Sequence, residues 1–477
     1  MTSPAALFEM FERHARESSG RTLVRVCGAG PALTAGALLE EVRATARDLR
    51  REGLRQGELA IVAGAAGTAL IRALLAVWSC DAVAMAADPQ IAGPELEELE
   101  NTFSPRLVIR AIEGGGLVAG PGSRGDVTSG LPASAAVIKL TSGSTGRPRG
   151  IAVTASQLLS DTHHLIEGMG IRSDDINIAS IPMSHSYGMD SLLMPMVVQA
   201  TALLVIPAPL PELMAEALSI DQPAIFPGVP YLFEMLSRPD GPSVRVRGLK
   251  TCLSAGAPLR ARTASAFAQR LGLPVRSFYG TSETGGITYD ASPDGDSATA
   301  GDGCVGTPLP GVLVTLEGDE GRVVVSGPNV TSGYVGPVED GDDSGFGARL
   351  FRTGDTGRFD EQGRLHLTGR IAGLINISGR KVNPREIERT LLNVEGVGDA
   401  AVLSISDDSR GESLVACVVR GSDGAVTREQ VMSHLRRSLA PYKLPRRLLF
   451  LPELPKTVRG KLDAEALRRE ALRAADE

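Results

Sequence analysis

The ten residues Thr141 to Gly150, T-S-G-S-T-G-R-P-R-G, follow directly on the apolar run Val137-Ile138-Lys139-Leu140 and constrain the fold more than any other segment. A short strand that opens into glycine, serine and threonine suits a loop that holds an anion. Gly143, Gly146 and Gly150 let backbone N–H groups turn toward a ligand, while Thr141, Ser142, Ser144 and Thr145 add hydroxyl donors. Arg147 and Arg149 add positive charge. A triphosphate is the natural ligand of such a cradle. The spacing does not fit G-x-x-x-x-G-K-[ST], so the usual P-loop fold is a poor match. Taken alone, the same composition also describes a flexible surface loop.

Later segments favour the first reading. Tyr279-Gly280-Thr281-Ser282-Glu283, Arg352-Thr353-Gly354-Asp355, Gly369-Arg370 running on to Gly379-Arg380-Lys381, and Pro455-Lys456-Thr457-Val458-Arg459-Gly460-Lys461 follow in that order. With the loop, they resemble the adenylate-forming superfamily of acyl-CoA synthetases, peptide-synthetase adenylation domains and luciferases. The family's motifs at these places read Y-G-x-T-E, T-G-D and P-x-T-x-x-G-K. The resemblance covers about the last two-thirds of the chain and is nearest to acyl- or aryl-CoA ligases; before Val137 there is only compatible patterning. It implies an α/β fold, with a large multi-layer α/β N-terminal domain and a small mobile α+β C-terminal domain. The boundaries expected are a core over 1–370, a hinge at 371–373, and a mobile domain over 374–477 that carries the catalytic lysine.

The patterning agrees with this organisation. Pro4 and the spacing of Leu7, Phe8, Phe11 and Ala15 predict an amphipathic first helix ending near Gly20, and Leu38 to Leu49 predicts another. Short apolar runs at Leu59 to Val62, Arg106 to Arg110, Val137 to Leu140 and Leu203 to Ile206 alternate with helical stretches such as Leu70 to Cys80, which is α/β texture. Gly114 to Gly130, Ser292 to Gly303 and Gly336 to Gly347 read as exposed loops. After Arg370 the pattern becomes α+β: strands at Leu374 to Ile377, Ala400 to Ile405 and Leu414 to Arg420, with helices at Pro384 to Leu392, Arg428 to Leu439 and Asp463 to Ala474. Asn383 and Glu386 suggest a capping box.

Composition narrows the class. With 477 residues and 43% hydrophobic content, the chain suits a globular protein of two to three domains. Five cysteines without C-x-x-C pairing argue against a disulfide framework or a zinc site, so a reducing, cytoplasmic compartment is expected. Charges interrupt the apolar stretches, so neither a signal peptide nor a membrane span is expected. The net charge of −7 gives no reason to expect nucleic-acid binding. The charge is uneven: Arg436 to Arg473 holds eleven Lys/Arg against four acids. That tail is either a solvated helix face or a surface that meets an anionic partner.

The resemblance assigns roles residue by residue. A carboxylate is a poor acyl donor, and joining it to AMP makes a reactive mixed anhydride, provided that the repulsion between anions is managed. Thr141 to Gly150 would hold the β- and γ-phosphates, although Arg149 stands where the family more often has lysine. Glu283 would bind Mg²⁺, and Ser282, replacing the usual threonine, would donate to the α-phosphate. Tyr279, with the turn Gly256-Ala257-Pro258, would flank the adenine, and Gly280 and Thr281 would also contact the nucleotide. Asp355 would accept from both ribose hydroxyls, with Arg370 beside it. Lys461 would bridge the acid and the α-phosphate during adenylation. Ala372 is the expected pivot, in place of the family's Asp or Lys. Rotation about it would exchange Lys461 for the segment around Gly379 and open a tunnel for the thiol of coenzyme A.

The acid pocket is expected at His185, Tyr187, Gly188 and Gly228. His185 in P-M-S-H-S-Y-G resembles the gating histidine of acyl- and aryl-CoA ligases, and the aspartate with which amino-acid-activating relatives bind an ammonium is missing. A fatty or aromatic acid without an α-amino group follows. Gly188-Met189-Asp190-Ser191-Leu192 matches a carrier-protein attachment site, but it lies inside the pocket segment with no four-helix module around it. His163-His164 lacks a third ligand at metal spacing and suits a helix surface. The activity expected is an ATP- and Mg²⁺-dependent ligation of an acid to coenzyme A. Loading of an acidic carrier protein, a nitrogen or oxygen acceptor, and a non-catalytic nucleotide-binding protein are the alternatives. Lys461→Ala is expected to lower adenylation, followed as pyrophosphate exchange, by orders of magnitude, while transfer from a supplied acyl-adenylate persists; equal loss of both half-reactions would remove its role.

Overall fold

Strand Leu59–Ala63 is buried along its whole length, which requires cover on both faces of the sheet that holds it. The computed structural model of the chain supplies that cover. It describes residues 2–28, 32–89, 91, 93–112, 115–122, 131–142, 148–292, 303–336, 345–370, 375–377, 380–382, 384–407, 411–421, 426–439, 443–457 and 462–476. They divide into one unit of Met1–Thr315, Val324–Arg352 and Phe359–His366, and a second of Leu316–Val323, Thr353–Arg358 and Leu367–Glu477.

In the first unit, a seven-stranded sheet has the order Tyr334–Val335, Pro148–Thr154, Ala135–Ser142, Val83–Ala86, Leu59–Ala63, Leu107–Ala111, Leu117–Pro121. Its side chains alternate between two cores. Leu59, Ile61, Met85, Val108 and Ile138 meet Leu96, Leu99 and Phe103 of helix Gly93–Phe103. Ala60, Val62, Ala84, Ile109 and Val137 point the other way, into a layer built from helices Pro4–Glu17, Ala35–Arg51, Gly67–Ser79 and the start of Ala155–Met169. Within that layer the Trp78 indole N–H donates to the carbonyl of Ala136 at 3.0 Å, so the bulkiest side chain buries no unpaired donor.

The far side of the helix layer is a nine-stranded sheet, ordered Thr307–Pro308, Gly285–Tyr289, Val275–Thr281, Leu249–Ser254, Ala224–Gly228, Ile176–Ala179, Ala202–Val205, Thr22–Val26, Leu33–Thr34. Val24, Leu203 and Val205 face the helices just described. Ile178, Leu204, Phe226, Cys252 and Val275 face an outer layer that includes Pro230–Ser237 and Ala261–Leu271. All five cysteines are free and buried. Among the described residues no helix is long and apolar enough to cross a membrane.

Strands Leu313–Glu317, Arg322–Ser326, Leu350–Phe359 and Leu365–Arg370 belong to a separate five-stranded sheet. In the second unit, Val397–Asp407 and Gly411–Arg420 form a long antiparallel pair, and Arg447–Leu451 joins the latter in parallel. Ala400, Val402, Leu414, Ala416 and Val418 pack on Ile387 and Leu391 of helix Pro384–Leu392 and on Val431 and Leu435 of helix Arg428–Ser438. Ala401, Val415 and Cys417, on the opposite face, pack on Leu467 and Ala471 of helix Ala464–Asp476.

Two of the expected loops contain strands. Within Gly114 to Gly130, Leu117–Pro121 pairs antiparallel with Leu107–Ala111, because the glycines flank an extended Leu-Val-Ala run that closes the sheet edge. At the end of Gly336 to Gly347, Phe346 pairs with Phe351 and stacks on it at 4.7 Å. Asn383, and the side chain of Glu386, lie outside the described residues, as does most of Ser292 to Gly303.

Phe233 is fully buried, with ring centroids 5.3 Å from Phe226 and 5.2 Å from Phe267. Phe233→Ala leaves a cavity in this cluster and should lower the unfolding free energy by about 3–5 kcal/mol, read from the urea midpoint. A loss under about 1 kcal/mol would mean that the outer layer collapses around the gap.

Candidate active site

Parallel strands present their carboxyl ends at one edge of a sheet, and in α/β proteins ligands bind there. In the nine-stranded sheet, Ile176–Ala179, Ala224–Gly228, Leu249–Ser254 and Val275–Thr281 run parallel. The first leads into the His185 segment, the second ends at Gly228, the third leads to Gly256-Ala257-Pro258, and the fourth to Ser282 and Glu283. In the seven-stranded sheet, Val83–Ala86 leads to Asp88, and Ala135–Ser142 leads into the glycine-rich loop. The loop returns antiparallel, with Thr141 opposite Arg149 and Ser142 opposite Pro148. Gly143, Ser144, Thr145 and Gly146 lie outside the described residues, as do Ala372, Gly379, Lys461 and the side chain of Arg370.

The described side chains join three of the expected segments. Tyr334 sits on the edge strand that pairs with the returning arm of the loop. Its ring lies 4.1 Å beneath the guanidinium of Arg149, and its hydroxyl donates to Oε1 of Glu283 at 2.8 Å. A planar guanidinium can lie flat on an aromatic ring, which gives the arginine at 149 a local partner. The Thr331 N–H donates to the Glu283 carbonyl at 2.9 Å, fixing the backbone of the same residue. One residue earlier, Ser282 Oγ accepts from Ser186 Oγ at 2.8 Å, which links the turn to the His185 segment. His185 Nε2 is 3.2 Å from Oδ2 of Asp88.

The His185 segment is held tightly. The Tyr187 hydroxyl donates to the carbonyl of Leu253 at 3.3 Å, and its ring packs at a tilt against Phe278, with centroids 5.6 Å apart. Burial raises the phenol pKa, so the hydroxyl stays protonated. Gly188 has no room for a side chain, since a Cβ would lie 2.2 Å from the Pro182 carbonyl oxygen. Tyr279 is buried, whereas Gly256, Ala257, Pro258 and Gly280 are exposed, and Thr281 is half-buried with its Oγ1 3.1 Å from that of Thr284. Asp355 belongs to the second unit. It is buried there, and its N–H donates to Thr353 Oγ1 at 3.1 Å.

The two other candidates separate clearly. Ser191 of the G-x-D-S-L match is 2% exposed, and its carbonyl accepts from Asn177 Nδ2 at 3.1 Å, so no transferase can reach the hydroxyl. His163 is exposed on helix Ala155–Met169, and His164 is half-buried. Sequence reasoning did not find Tyr334, Asp88 or Ser186. Ser186 lies inside a segment already singled out, and its spacing gives no sign of its partner.

Residues 11–335 match the AMP-binding enzyme family, and residues 386–461 match the AMP-binding enzyme C-terminal domain. A 2-succinylbenzoate–CoA ligase from Bacillus cereus is 32% identical over 351 residues, covering 72% of this chain and 70% of that protein. A feruloyl-CoA synthase from Amycolatopsis sp is 28% identical over 494 residues, covering 96% of this chain and 97% of its own. Among solved structures, ATP-bound MatB from Rhodopseudomonas palustris has a TM-score of 0.84 at 24% identity, covering 98% of this chain and 99% of its own. The amide bond synthetase McbA from Marinactinospora thermotolerans has a TM-score of 0.80 at 24% identity, covering 97% and 99%.

Fold and site together define an adenylate-forming enzyme with a large N-terminal and a small C-terminal domain. The chain belongs to the AMP-binding enzyme family. It is an AMP-forming acid–thiol ligase, which activates a carboxylic acid as its acyl-adenylate with ATP and passes the acyl group to coenzyme A. Tyr334→Phe keeps the ring under Arg149 and removes only the hydrogen bond to Glu283. It should raise the ATP concentration needed for half-maximal pyrophosphate exchange about threefold to tenfold, the effect of one hydrogen bond to a charged group. An unchanged value would show that the hydroxyl does not hold the carboxylate in the working enzyme.

Proposed function

We propose that the acid lacks an α-amino group, that it lies against His185, Tyr187, Gly188 and Gly228, and that the triphosphate lies along Thr141 to Gly150. The observation that carries this reading is the continuous set of contacts from Arg149 through Tyr334 to Glu283, and from neighbouring Ser282 through Ser186 to the His185 segment. The two reactants are both anions. They react only if donors and positive charge are fixed around them beforehand.

Arg149 and the loop donors would draw charge from the β- and γ-phosphates, and Ser282 would donate to the α-phosphate. Tyr279 and the Gly256-Ala257-Pro258 turn would enclose the adenine, Gly280 and Thr281 would contact the nucleotide, and Asp355 and Arg370 would lie on the ribose. Glu283 suits Mg²⁺: one oxygen is fixed by Tyr334, and the carboxylate has a second with which to meet a hard cation. That ion, when bound, neutralises phosphate charge. Lys461 would bridge the acid and the α-phosphate. A carboxylate oxygen then attacks the α-phosphorus, the bond to the β-phosphate oxygen breaks, and pyrophosphate leaves. For the second half-reaction we propose rotation of residues 374–477 relative to 1–370 about 371–373, with Ala372 as pivot and Gly379 beside the incoming thiol. The thiol sulfur attacks the acyl carbon, gives up its proton, and AMP departs.

Feruloyl-CoA synthase and 2-succinylbenzoate–CoA ligase are named for acids that carry an aromatic ring, and here the Tyr187–Phe278 pair would supply an aromatic wall. Aryl acids are therefore the first candidates, and fatty acids the second. A pyrophosphate-exchange screen with Mg²⁺ over aryl, aliphatic and amino acids tests the assignment. Aryl or aliphatic acids should support exchange and amino acids should not. Coenzyme A should then accept the acyl group faster than a pantetheinylated carrier protein or an amine. Exchange with amino acids alone would sink the pocket assignment.

A further inference from the structure

Lys139 lies in the strand that runs into the phosphate loop, two residues before Thr141. It falls on the same face as Val137, toward the middle helix layer, among apolar side chains. Its ammonium donates to both carboxylate oxygens of Asp190, at 2.8 and 2.6 Å, and the two side chains are 4% and 6% exposed. Asp190 sits in a π-helical turn, Met189–Leu193, immediately after His185 to Gly188. Such turns often mark functional sites. The Asn177 side chain holds the same turn through the carbonyl of Ser191.

A third member stands close enough to feel both charges. Asp161, buried on helix Ala155–Met169, accepts the Gly286 N–H at 2.8 Å through Oδ1; among the described residues its Oδ2 has no hydrogen-bond partner. Burial first, and then the charge of Asp190, raise the Asp161 carboxyl well above the usual carboxylate range. Gly285 closes the turn with φ +67°, and a Cβ there would lie 2.3 Å from the Asp161 carboxyl carbon. The turn that carries Glu283 is thereby pressed onto the same cluster.

A buried ion pair is weak evidence of stability, because well-packed apolar side chains of similar volume often hold a fold as well or better. The specific consequence of this pair is geometric. It connects the strand that positions the triphosphate loop with the turn that positions the acid segment. We propose that Lys139 and Asp190 are positioning residues that set the spacing between bound ATP and bound acid. Both side chains are buried and act through the segments that carry them, and the proposal rests on the adenylation reading above.

The test compares the wild-type enzyme with Lys139→Met/Asp190→Leu in three measurements: thermal unfolding, calorimetric titration with ATP and with acid separately, and pyrophosphate exchange. The expected result is a folded variant whose melting temperature lies within a few degrees of wild type and whose affinities for ATP and acid change less than about threefold. Its exchange kcat should fall about a hundredfold, the effect of a misplacement of about 1 Å between reacting groups. A folded variant with kcat within about twofold of wild type overturns the proposal, since the pair would then be structural only. Loss of ATP affinity with kcat unchanged overturns it as well, since the pair would serve the loop alone. Should the double variant not fold, Asp190→Asn keeps the shape and an acceptor for Lys139; about a tenfold fall in kcat with unchanged ATP affinity supports the proposal, and no fall overturns it. Failure of the wild-type enzyme to exchange pyrophosphate with any acid would instead remove the adenylation reading, and the proposal with it.

Discussion

Burial of both faces of the two large sheets is the constraint on which the rest depends. A strand such as Leu59–Ala63 can place no functional group on either face, because each residue is committed to one core or the other. Chemistry is left with the strand ends. There the chain emerges as short connections whose backbone N–H groups and side chains are free of the ladder. The His185 segment, the Gly256-Ala257-Pro258 turn and the Ser282-Glu283 turn are all connections of this kind, and the glycine-rich segment follows the end of Ala135–Ser142.

Segments that emerge separately must still be held together, and side chains do much of this. Tyr334 is the clearest instance. It comes from a two-residue strand at a sheet edge, yet it meets Arg149, on the returning arm of the glycine-rich loop, with its face and the proposed metal carboxylate with its hydroxyl. The Ser186–Ser282 hydrogen bond does similar work between the His185 segment and the Ser282-Glu283 turn. Rigid sheets fix where each connection begins, and these contacts fix where it ends.

Much of this was legible in the sequence for a physical reason: strands, helix starts and glycine-rich loops are set by neighbours along the chain. Pro4 with Leu7, Phe8, Phe11 and Ala15 gave the first helix, and the alternating apolar runs gave the α/β texture. Ordered motifs gave the family. Contacts between distant segments were not legible. Lys139 read as one polar residue in an apolar run, because its partner lies 51 residues away. Tyr334 follows a glycine with nothing nearby to mark it. Strand Leu117–Pro121 was hidden because its flanking glycines dominate the local composition.

In the proposed acid pocket, Gly188 carries a practical lesson for altering which acid the enzyme accepts. The Pro182 carbonyl closes the space where any larger residue would begin, and that obstacle is main chain, which cannot swing aside as a side chain can. Redesign of the pocket is therefore confined to its neighbours. The proposed gate at His185, paired with Asp88, and the proposed aromatic wall at Tyr187 can be exchanged for other shapes, while the backbone between them is fixed by the path of the polypeptide itself.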